Sequence, residues 1–241
     1  MRVRVEVCAT SPAEAFAADA LGCDAVELCT WPECGGITPS LGMVMAVLER
    51  ARCRVRVLIR PIPGGFHHDD TAMRAALLDV ERFASCDALH GLVVGALDAD
   101  DLPHARFMEE VRMAASDKEL TFHRAIDLAR PVPEVIARCV DGGMQRILTS
   151  GGAVTAMEGT DRIRTMLEEA AGRLTIAAGA GVGPTNVVRL VESTGVEEVH
   201  FSARSHVTDG ATGPMDLGGA TIPDVAKIEG VLNALIKAGL R

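Results

Sequence analysis

Aromatic side chains are scarce in this chain of 241 residues, which contains no tyrosine and a single tryptophan, Trp31. Hydrophobic residues still make up 48% of the sequence, so alanine, valine and leucine must form most of the core. The N-terminus alternates charged and apolar residues, and no apolar run reaches the roughly 18 residues of a transmembrane helix. We therefore expect a cytoplasmic protein that does not enter a membrane.

Positive charge is also in short supply. The 24 Lys and Arg residues are outnumbered by 33 Asp and Glu residues, which gives a formal net charge of −9. Nucleic-acid backbones and anionic membrane surfaces both require a basic face on the protein. The composition therefore argues against both kinds of partner, and we expect a small-molecule or metal ligand instead.

Several common motifs are absent. No Gly-x-Gly-x-x-Gly turn follows the first apolar run, where the sequence reads Ala9-Thr10-Ser11-Pro12, so a doubly wound open sheet is set aside. No Cys-x-x-Cys or His-x-x-x-His spacing marks a metal site. The seven cysteines are odd in number and widely spread, which argues against a disulfide framework.

Eight short apolar runs alternate with segments of helical pattern. The runs are Val3–Cys8, Ala25–Cys29, Val55–Arg60, Leu89–Gly95, Leu120–Arg124, Arg146–Thr149, Leu174–Gly179 and Glu198–Ser202. The helical segments are Pro12–Leu21, Pro39–Arg50, Thr71–Ala84, Asp101–Ala115, Val132–Val140, Asp161–Ala171, Pro184–Glu192 and Pro223–Ala238. This alternation is typical of parallel βαβ units, and a closed barrel of them needs about 250 residues. The sequence therefore predicts an α/β protein, a TIM (β/α)8 barrel, with a single domain over residues 1–241.

Two connecting segments carry specific predictions. After the second run, Thr38 has the chemistry of an N-cap, and Pro39 suits the first position of a helix. After the eighth run, the glycine-rich segment Thr208–Thr221 is predicted to form a long loop on the functional face of the barrel.

The alternation of side chains along a strand predicts which residues face the barrel interior. In the first strand, Val3, Val5 and Val7 form an apolar face that should meet the outer helices. The opposite faces of four strands then point inward and carry Arg4, Glu6 and Cys8; Ala25, Glu27 and Cys29; Arg56, Leu58 and Arg60; and Glu198, His200 and Ser202. In the fifth strand either Thr121 and His123 or Phe122 and Arg124 point inward. The first choice is preferred because Phe122 then packs against the helices.

Charged groups inside a barrel must pair with one another or with a ligand, because an unpaired buried charge costs several kcal/mol. A self-contained network, such as Arg4 with Glu198 or Arg56 with Glu6, would account for the charges near the lower layer. Groups at the C-terminal strand ends are predicted to be functional, since barrel enzymes carry their sites there. The predicted catalytic residues are Glu6, Glu27, Arg60, His123, Arg124, Asp127 and His200.

The pair Glu-x-Cys occurs on two neighbouring strands, as Glu6-Val7-Cys8 and Glu27-Leu28-Cys29. Adjacent strands lie about 4.8 Å apart, so the two carboxylates and two thiols should approach one another near the mouth of the barrel. Cys34 is expected to reach over from the following loop. Thiolates are soft ligands that suit Cu(I) or zinc, and the predicted metal ligands are therefore Cys8, Cys29 and Cys34.

Two further groups of residues fit a small anionic ligand. His123 can exchange a proton near neutral pH, with Asp127 orienting its ring, and Arg60 can clamp a carboxylate or phosphate with its planar fork. Glycine loops follow the sixth and seventh strands and offer bare N–H groups, the second of them before a helix at Pro184. The predicted anion-binding residues are Ser150, Gly151, Gly152, Gly179, Gly181 and Ser202.

Several ordered motifs resemble the CutC copper-homeostasis family, the barrel family and not the radical choline lyase that shares its name. The motifs cover most of the chain and are Glu6-Val7-Cys8, Val26-Glu27-Leu28-Cys29, Gly35-Gly36-Ile37-Thr38-Pro39-Ser40, Ile59-Arg60-Pro61, Gly91-Leu92-Val93-Val94-Gly95, Thr121-Phe122-His123-Arg124-Ala125-Ile126-Asp127, Arg146-Ile147-Leu148-Thr149-Ser150-Gly151-Gly152 and His200-Phe201-Ser202. The resemblance implies a TIM barrel in the cytoplasm, a homo-oligomer such as a dimer, and an association with copper handling. The segment Ile62–Asp70 departs from the family pattern, which has a second Arg and a Gly-Asp-Phe turn there.

Two hypotheses about function follow. In the first, the protein binds or transfers Cu(I) through the thiols at the mouth of the barrel. In the second, it is an enzyme that uses acid–base chemistry on a small anionic, phosphorylated or sugar-like metabolite. Crowded carboxylates beside a histidine tend to titrate apart, which would supply one acid and one base.

Overall fold

The computed structural model describes residues 2–207 and 220–241, and in these ranges eight parallel strands form a closed barrel with eight α-helices around it. The barrel strands are β1 (Arg4–Ala9), β2 (Ala25–Leu28), β3 (Arg54–Leu58), β4 (Gly91–Val94), β5 (Glu119–Phe122), β6 (Arg146–Thr149), β7 (Thr175–Gly179) and β8 (Glu198–Ser202). The helices are α1 (Pro12–Ala20), α2 (Leu41–Leu48), α3 (Asp70–Ala84), α4 (Ala105–Ala114), α5 (Val132–Asp141), α6 (Thr160–Ala170), α7 (Val187–Thr194) and α8 (Val225–Lys237). The predicted TIM barrel is confirmed.

Strand order follows the chain, and β1 closes the ring by pairing with β8. The register places Glu6 opposite His200 on β8, while Cys8 lies opposite Glu27 on β2. This register brings the polar residues of β1, β2 and β8 to neighbouring positions inside the barrel.

The outward faces of the strands form the main hydrophobic core against the helices. Val3, Val5 and Val7 are fully buried there, as the alternation in β1 predicted. Phe122 belongs to the same core, and Thr121 accepts a hydrogen bond from the interior Arg146. The preferred orientation of the fifth strand, in which Thr121 and His123 point inward and Phe122 packs against the helices, is therefore confirmed.

The interior of the barrel contains an ionic layer near the N-terminal ends of the strands. Arg146 contacts Glu6 at 2.5 Å and Glu198 at 2.7 Å, and Arg56 pairs with both of these carboxylates. Arg4 adds a contact of 3.1 Å to Glu198. All but Arg4 are almost completely buried, so the charges of this layer satisfy one another, as predicted for the lower part of the barrel.

Helix α2 begins later than predicted. Its N-cap is Ser40, whose hydroxyl accepts a hydrogen bond from the Met43 N–H. Thr38 is not the cap, because its hydroxyl accepts a hydrogen bond from the backbone N–H of Arg60 at 3.0 Å. The side chain of Thr38 thus ties the loop after β2 to the end of β3.

Helices α4, α7 and α8 also begin later than their patterns predicted, α8 at Val225 because Pro223 belongs to β10. Helix α4 begins after its N-cap His104, since Asp98 folds the preceding residues into a turn by accepting from the N–H groups of Asp100 and Leu102. Helix α7 begins at Val187, not at Pro184. The side-chain oxygen of Asn186 accepts from the Gly183 N–H at 2.9 Å, which keeps this stretch in a turn.

An antiparallel hairpin follows the barrel strands and precedes α8. Its strands are β9 (Arg204–Val207) and β10 (Ala220–Pro223). The predicted loop Thr208–Thr221 falls mostly on residues 208–219, which lie outside the described residues, and its last two positions belong to β10. Within the described residues, no helix has the length and apolar character needed to cross a bilayer.

Candidate functional site

A cavity of about 330 Å³ opens at the C-terminal ends of the barrel strands. Cys8, Glu27 and His200 line it from β1, β2 and β8, and His123 lines it from the position directly after β5, as the predicted inward orientations require. Phe66 adds an aromatic wall from the loop after β3. The cavity lies where barrel enzymes bind their substrates.

The two thiols at the mouth are in direct contact, with 3.4 Å between the sulfur atoms of Cys8 and Cys29. The Arg204 guanidinium lies 3.4 Å from the Cys8 sulfur as well. The hydrogen bond from the Cys29 thiol, with His200 and Arg204 nearby, holds the Cys8 pKa well below its usual range despite burial. The same contact and burial raise the Cys29 pKa. The two pKa values are thus shifted in opposite directions, which favours the thiolate at Cys8 and the thiol at Cys29.

His200 is held by a carboxylate from the ionic layer. Its Nδ1 atom lies 2.9 Å from Oε1 of Glu6, and Glu6 is completely buried. Burial lowers the His200 pKa, but Cys8, Glu27 and Glu6 outweigh this effect and raise it to about 10. The ring is therefore a cation at neutral pH.

Gly179 at the end of β7 provides room for this ring. A Cβ atom there would lie 3.4 Å from Cδ2 of His200 and 2.9 Å from Leu148. The sequence pattern predicted an anion-binding role for Gly179, and the structure gives it a packing role beside His200.

Cys8, Glu27 and His200 form a compact group, in which one ligand atom from each lies within 4.8 Å of the other two. Burial raises the Glu27 pKa to about 7, with Glu6 and Cys8 adding to the effect and His200 opposing it. The Oε2 atom of Glu27 is buried without a hydrogen-bond partner among the described residues. Sulfur, carboxylate oxygen and imidazole nitrogen are all donor atoms that transition metals accept in proteins.

Cys34 does not join the thiol pair, contrary to expectation. It belongs to a short 3-10 turn (Pro32–Cys34), and its thiol donates to the Trp31 carbonyl at 3.1 Å. Its own carbonyl accepts from Arg60. The turn therefore directs the Cys34 sulfur back onto the loop and away from Cys8 and Cys29.

Arg60 connects two loops at the rim of the cavity. Its NH1 donates to the carbonyls of Cys34 and Gly36, both at 2.8 Å, and its NH2 donates to the Gly64 carbonyl at 2.6 Å. The fork that was predicted to clamp an anion is thus occupied by backbone oxygens. The Nε atom remains without an acceptor among the described residues.

His123 is a neutral donor in the cavity wall. Its Nδ1 accepts from the Ala125 N–H at 3.1 Å, so the ring proton lies on Nε2. Burial, together with the nearby charge of Arg60, lowers the His123 pKa to about 3. A pKa this low favours the neutral ring near pH 7, whereas the sequence pattern suggested a group that exchanges protons there.

Asp127 lies away from the ring that it was predicted to orient. Its carboxylate accepts from the Thr149 hydroxyl at 2.6 Å and from the N–H groups of Ser150 and Gly152 at 3.0 and 3.1 Å. Arg124 donates to the same carboxylate at 2.9 Å. An internal carboxylate thus occupies the donors that the loop after β6 was expected to offer to an external anion.

Close backbone packing explains the glycine at position 151. A Cβ atom on Gly151 would lie 2.2 Å from the Gly159 carbonyl oxygen. The loop after β7 differs, because Gly181 lines the cavity, and Ser202 lies on the same wall. Lys227 donates to the Ser202 carbonyl at 2.8 Å. Of the predicted anion-binding residues, Gly181 and Ser202 are the two that line the cavity within the described chain.

The cavity is cationic although the chain is acidic overall. Its walls include Arg60, Arg124, Arg204 and Lys227, while Glu27 is the one carboxylate among the described lining residues. A cavity lined by one sign of charge raises the local concentration of ligands of the opposite sign. The arrangement therefore favours an anion.

Sequence reasoning missed Arg146, Arg204 and Lys227. The alternation that places Leu148 in the cavity wall also points Arg146 inward, so the signal for this residue was present in β6. Arg204 follows the last barrel strand in β9, and Lys227 lies in the first turn of α8. These two positions carried no strand periodicity that could direct them to the cavity.

The chain matches the model described as the CutC family over residues 3–205. A CutC family protein of Xanthomonas axonopodis pv. citri (strain 306) is 38% identical over 241 residues, which cover 97% of this chain and 99% of the relative. A CutC family protein of Bacteroides thetaiotaomicron is 37% identical over 210 residues, which cover 86% of this chain and 83% of the relative.

Solved structures of the same family and of the same barrel fold are also similar to this chain. A structure of CutC from Streptococcus agalactiae, whose description connects it with copper homeostasis, has a TM-score of 0.77 at 28% identity and covers 83% of this chain and 98% of its own. Phosphoribosylanthranilate isomerase from Thermotoga maritima has a TM-score of 0.62 at 14% identity and covers 98% of this chain and 99% of its own. The second similarity is one of barrel fold alone.

Proposed function

Because the chain belongs to the CutC family, we propose that it handles copper by binding Cu(I) at the mouth of the barrel. The observation that carries this proposal is the contact of 3.4 Å between the Cys8 and Cys29 sulfur atoms beside His200. The copper-homeostasis description of the Streptococcus agalactiae relative supports the choice of metal.

The chemistry of these donors fits a soft cation. Thiolate sulfur selects Cu(I), and imidazole nitrogen is compatible with copper. A histidine that ligates a metal usually donates its other ring N–H to a carboxylate, and Glu6 supplies that carboxylate on Nδ1 of His200. The Nε2 atom of His200 is then the one available to a metal. The Cys29 thiol and Nε2 of the His200 cation would both lose a proton on binding, so uptake of the ion would release protons.

A competition experiment tests this proposal. Reduced protein is titrated under anaerobic conditions with Cu(I) held by a chromophoric chelator, and the spectrum reports how much metal the protein removes. The wild-type protein should take one equivalent, and Cys8→Ser/Cys29→Ser should take none. Cys53→Ser/Cys86→Ser is the matched control, because those thiols are partly buried outside the cavity. Equal uptake by both double variants would refute the proposal.

The copper proposal includes a cytoplasmic location. In a reducing compartment thiols stay free, whereas an oxidising compartment favours disulfides. All seven cysteines of the chain are free in the structure, which supports a site that depends on reduced sulfur.

A second candidate function is acid–base catalysis on a small anionic metabolite. The specific observation in its favour concerns Glu27, which is buried in a cationic cavity. The pKa of its carboxyl is raised to about 7. A carboxyl with a pKa near the working pH can both accept and donate a proton. The cavity of about 330 Å³ is also within the usual size range of small-molecule sites.

Deuterium exchange tests the second candidate across a range of possible substrates. The protein is incubated in D2O with phosphorylated and carboxylated hydroxy-carbonyl compounds, and proton NMR follows loss of the carbon-bound hydrogen. Wild-type protein should accelerate exchange in at least one compound, and Glu27→Gln should not. Exchange at equal rates in both proteins would exclude Glu27 as the base.

A further inference from the structure

Three hydrogen-bond donors of the cavity-lining residues lack an acceptor among the described residues, namely Nε of Arg204, Nε2 of His123 and Nε of Arg60. The Arg204 Nε still lies 3.6 Å from a carboxylate oxygen of Glu14, whereas His123 and Arg60 have no such ion-pair partner in the described chain. Their side chains are almost fully buried, with residue exposures of 5% and 4%. A buried donor without an acceptor costs about 1–3 kcal/mol. Native proteins keep such groups mainly where a ligand or an ordered water completes the hydrogen bond.

The ring of His123 is fixed in place and in one tautomer. The Ala125 N–H occupies Nδ1, which leaves the N–H on Nε2 as the donor. A Cβ atom at Gly95 would lie 2.5 Å from two ring atoms, so the ring rests directly on the backbone of that residue. On another side the Phe66 ring lies 5.0 Å away, measured between centroids. A donor held in this way loses little entropy when it binds an acceptor.

Arg60 is fixed as firmly, and its charge pairs with no carboxylate of the described residues. Three carbonyls hold its terminal nitrogens, and its guanidinium carbon lies 5.0 Å from the Phe66 ring centre. In residues 2–207 and 220–241, no acidic oxygen lies within 4.0 Å of it. Carbonyl dipoles orient a buried cation but leave its net charge to attract an anion.

We propose that the Nε2–H of His123 and the Nε–H of Arg60 together bind the carboxylate oxygen of a small organic acid that occupies the cavity. A neutral donor beside a fixed cation matches one carboxylate group, whose negative charge is spread over two oxygens in a plane. The Phe66 ring, which lies 5.0 Å from both the His123 ring and the Arg60 guanidinium carbon, then packs against the carbon skeleton of the acid. The inference rests on the second candidate function in one respect only, namely that a small molecule occupies this cavity.

NMR of the wild-type protein tests the assignment directly. Protein carrying 15N-labelled histidine is titrated with oxalate at pH 7, and the Nε2–H signal of His123 is followed. A saturable downfield shift of this signal is expected. Inorganic phosphate is titrated in parallel. A response to phosphate alone would overturn the assignment to carboxylates, and no response to either anion would overturn the site.

Variants measure the contribution of the ring donor. His123→Phe keeps an aromatic ring but lacks the donor, and it should weaken oxalate binding about tenfold or more, as the loss of one hydrogen bond predicts. Arg106→Ala, a charge change on the exposed face of α4, should leave oxalate binding unchanged. Cu(I) uptake by His123→Phe should equal that of wild type. The oxalate site and the copper site can therefore fail independently.

Discussion

Nδ1 of His200 lies 2.9 Å from Oε1 of Glu6, a carboxylate that solvent does not reach. This contact joins the two layers of the barrel interior. Below it, Arg56 and Arg146 hold Glu6 and keep its pKa well below the usual range although burial alone would raise it. Above it, His200 faces Cys8 and Glu27. Glu6 does not line the cavity, so we assign it a positioning role and expect no contact with a ligand.

Replacement of Glu6 by Gln should weaken metal binding without removing any metal ligand. Loss of a carboxylate partner of a ligating histidine typically lowers metal affinity about 10–100-fold. We expect that loss in the Cu(I) competition experiment, together with a lower His200 pKa measured by NMR. Glu119→Gln is the matched control, because Glu119 also contacts Arg56, at 2.6 Å, but does not contact His200. Similar losses in both variants would contradict the positioning role.

Replacement of Arg146 by Met should strongly destabilise the fold. Arg146 is 1% exposed and contacts Glu6 and Glu198, so its removal leaves two buried carboxylates with less compensation. Breaking a buried ion pair in this way typically costs about 3–5 kcal/mol. Chemical denaturation should report a loss of this size, whereas Arg164→Ala on the surface of α6 should cost about 1 kcal/mol or less. Equal losses would contradict a structural role for the ionic layer.

Glu27 should make stability depend on pH in a defined window. Its pKa rises from a usual value of 4.5 to about 7 on folding, so the folded state binds the proton more tightly. The stabilisation is complete below pH 4.5 and is lost as the pH rises through about 7. Because one pKa unit corresponds to about 1.4 kcal/mol, the loss amounts to about 3 kcal/mol.

Denaturation of wild type and Glu27→Gln at several pH values measures this effect. The free energy of unfolding of wild type should fall relative to that of the variant between pH 4.5 and about 8. A difference between the two proteins that stays constant over this range would show that Glu27 has an ordinary pKa.

Replacement of Arg60 by Lys should loosen the rim of the cavity. An ammonium group cannot donate to three carbonyls in the planar geometry of a guanidinium, so Cys34, Gly36 and Gly64 would lose their common partner. Hydrogen exchange should become faster at the amides of Gly35 and Gly36, which bond within the same turn. Arg50→Lys, a substitution beside Phe16, is the control and should leave these amides unchanged.

The barrel and its inward-facing residues were predictable because both follow from short-range periodicity. Alternation in the four apolar runs predicts that Glu6, Glu27, Arg60 and His200 point inward. Glu6, Glu27 and His200 lie in β1, β2 and β8, and Arg60 lies just beyond the end of β3 and lines the cavity. The same rule applied to β6 would have found Arg146. Local signals of this kind depend only on neighbouring residues in the chain.

Hydrogen-bond partners were not predictable, because they depend on distances between separate loops. Arg60 and the loop after β6 both had the composition of an anion site. In the folded chain, the Arg60 fork meets backbone carbonyls, and the N–H groups of Ser150 and Gly152 meet Asp127. The N-cap of α2 was missed for the same reason, since the hydroxyl of Thr38 was already engaged by Arg60.

The ionic layer has a consequence for how a ligand would travel. Glu6, Arg56, Arg146 and Glu198 fill the barrel beneath the cavity with side chains that are no more than 2% exposed. Nothing the size of a metabolite or a metal complex can pass through that floor. A ligand of the cavity would therefore enter and leave through the same opening, at the C-terminal ends of the barrel strands.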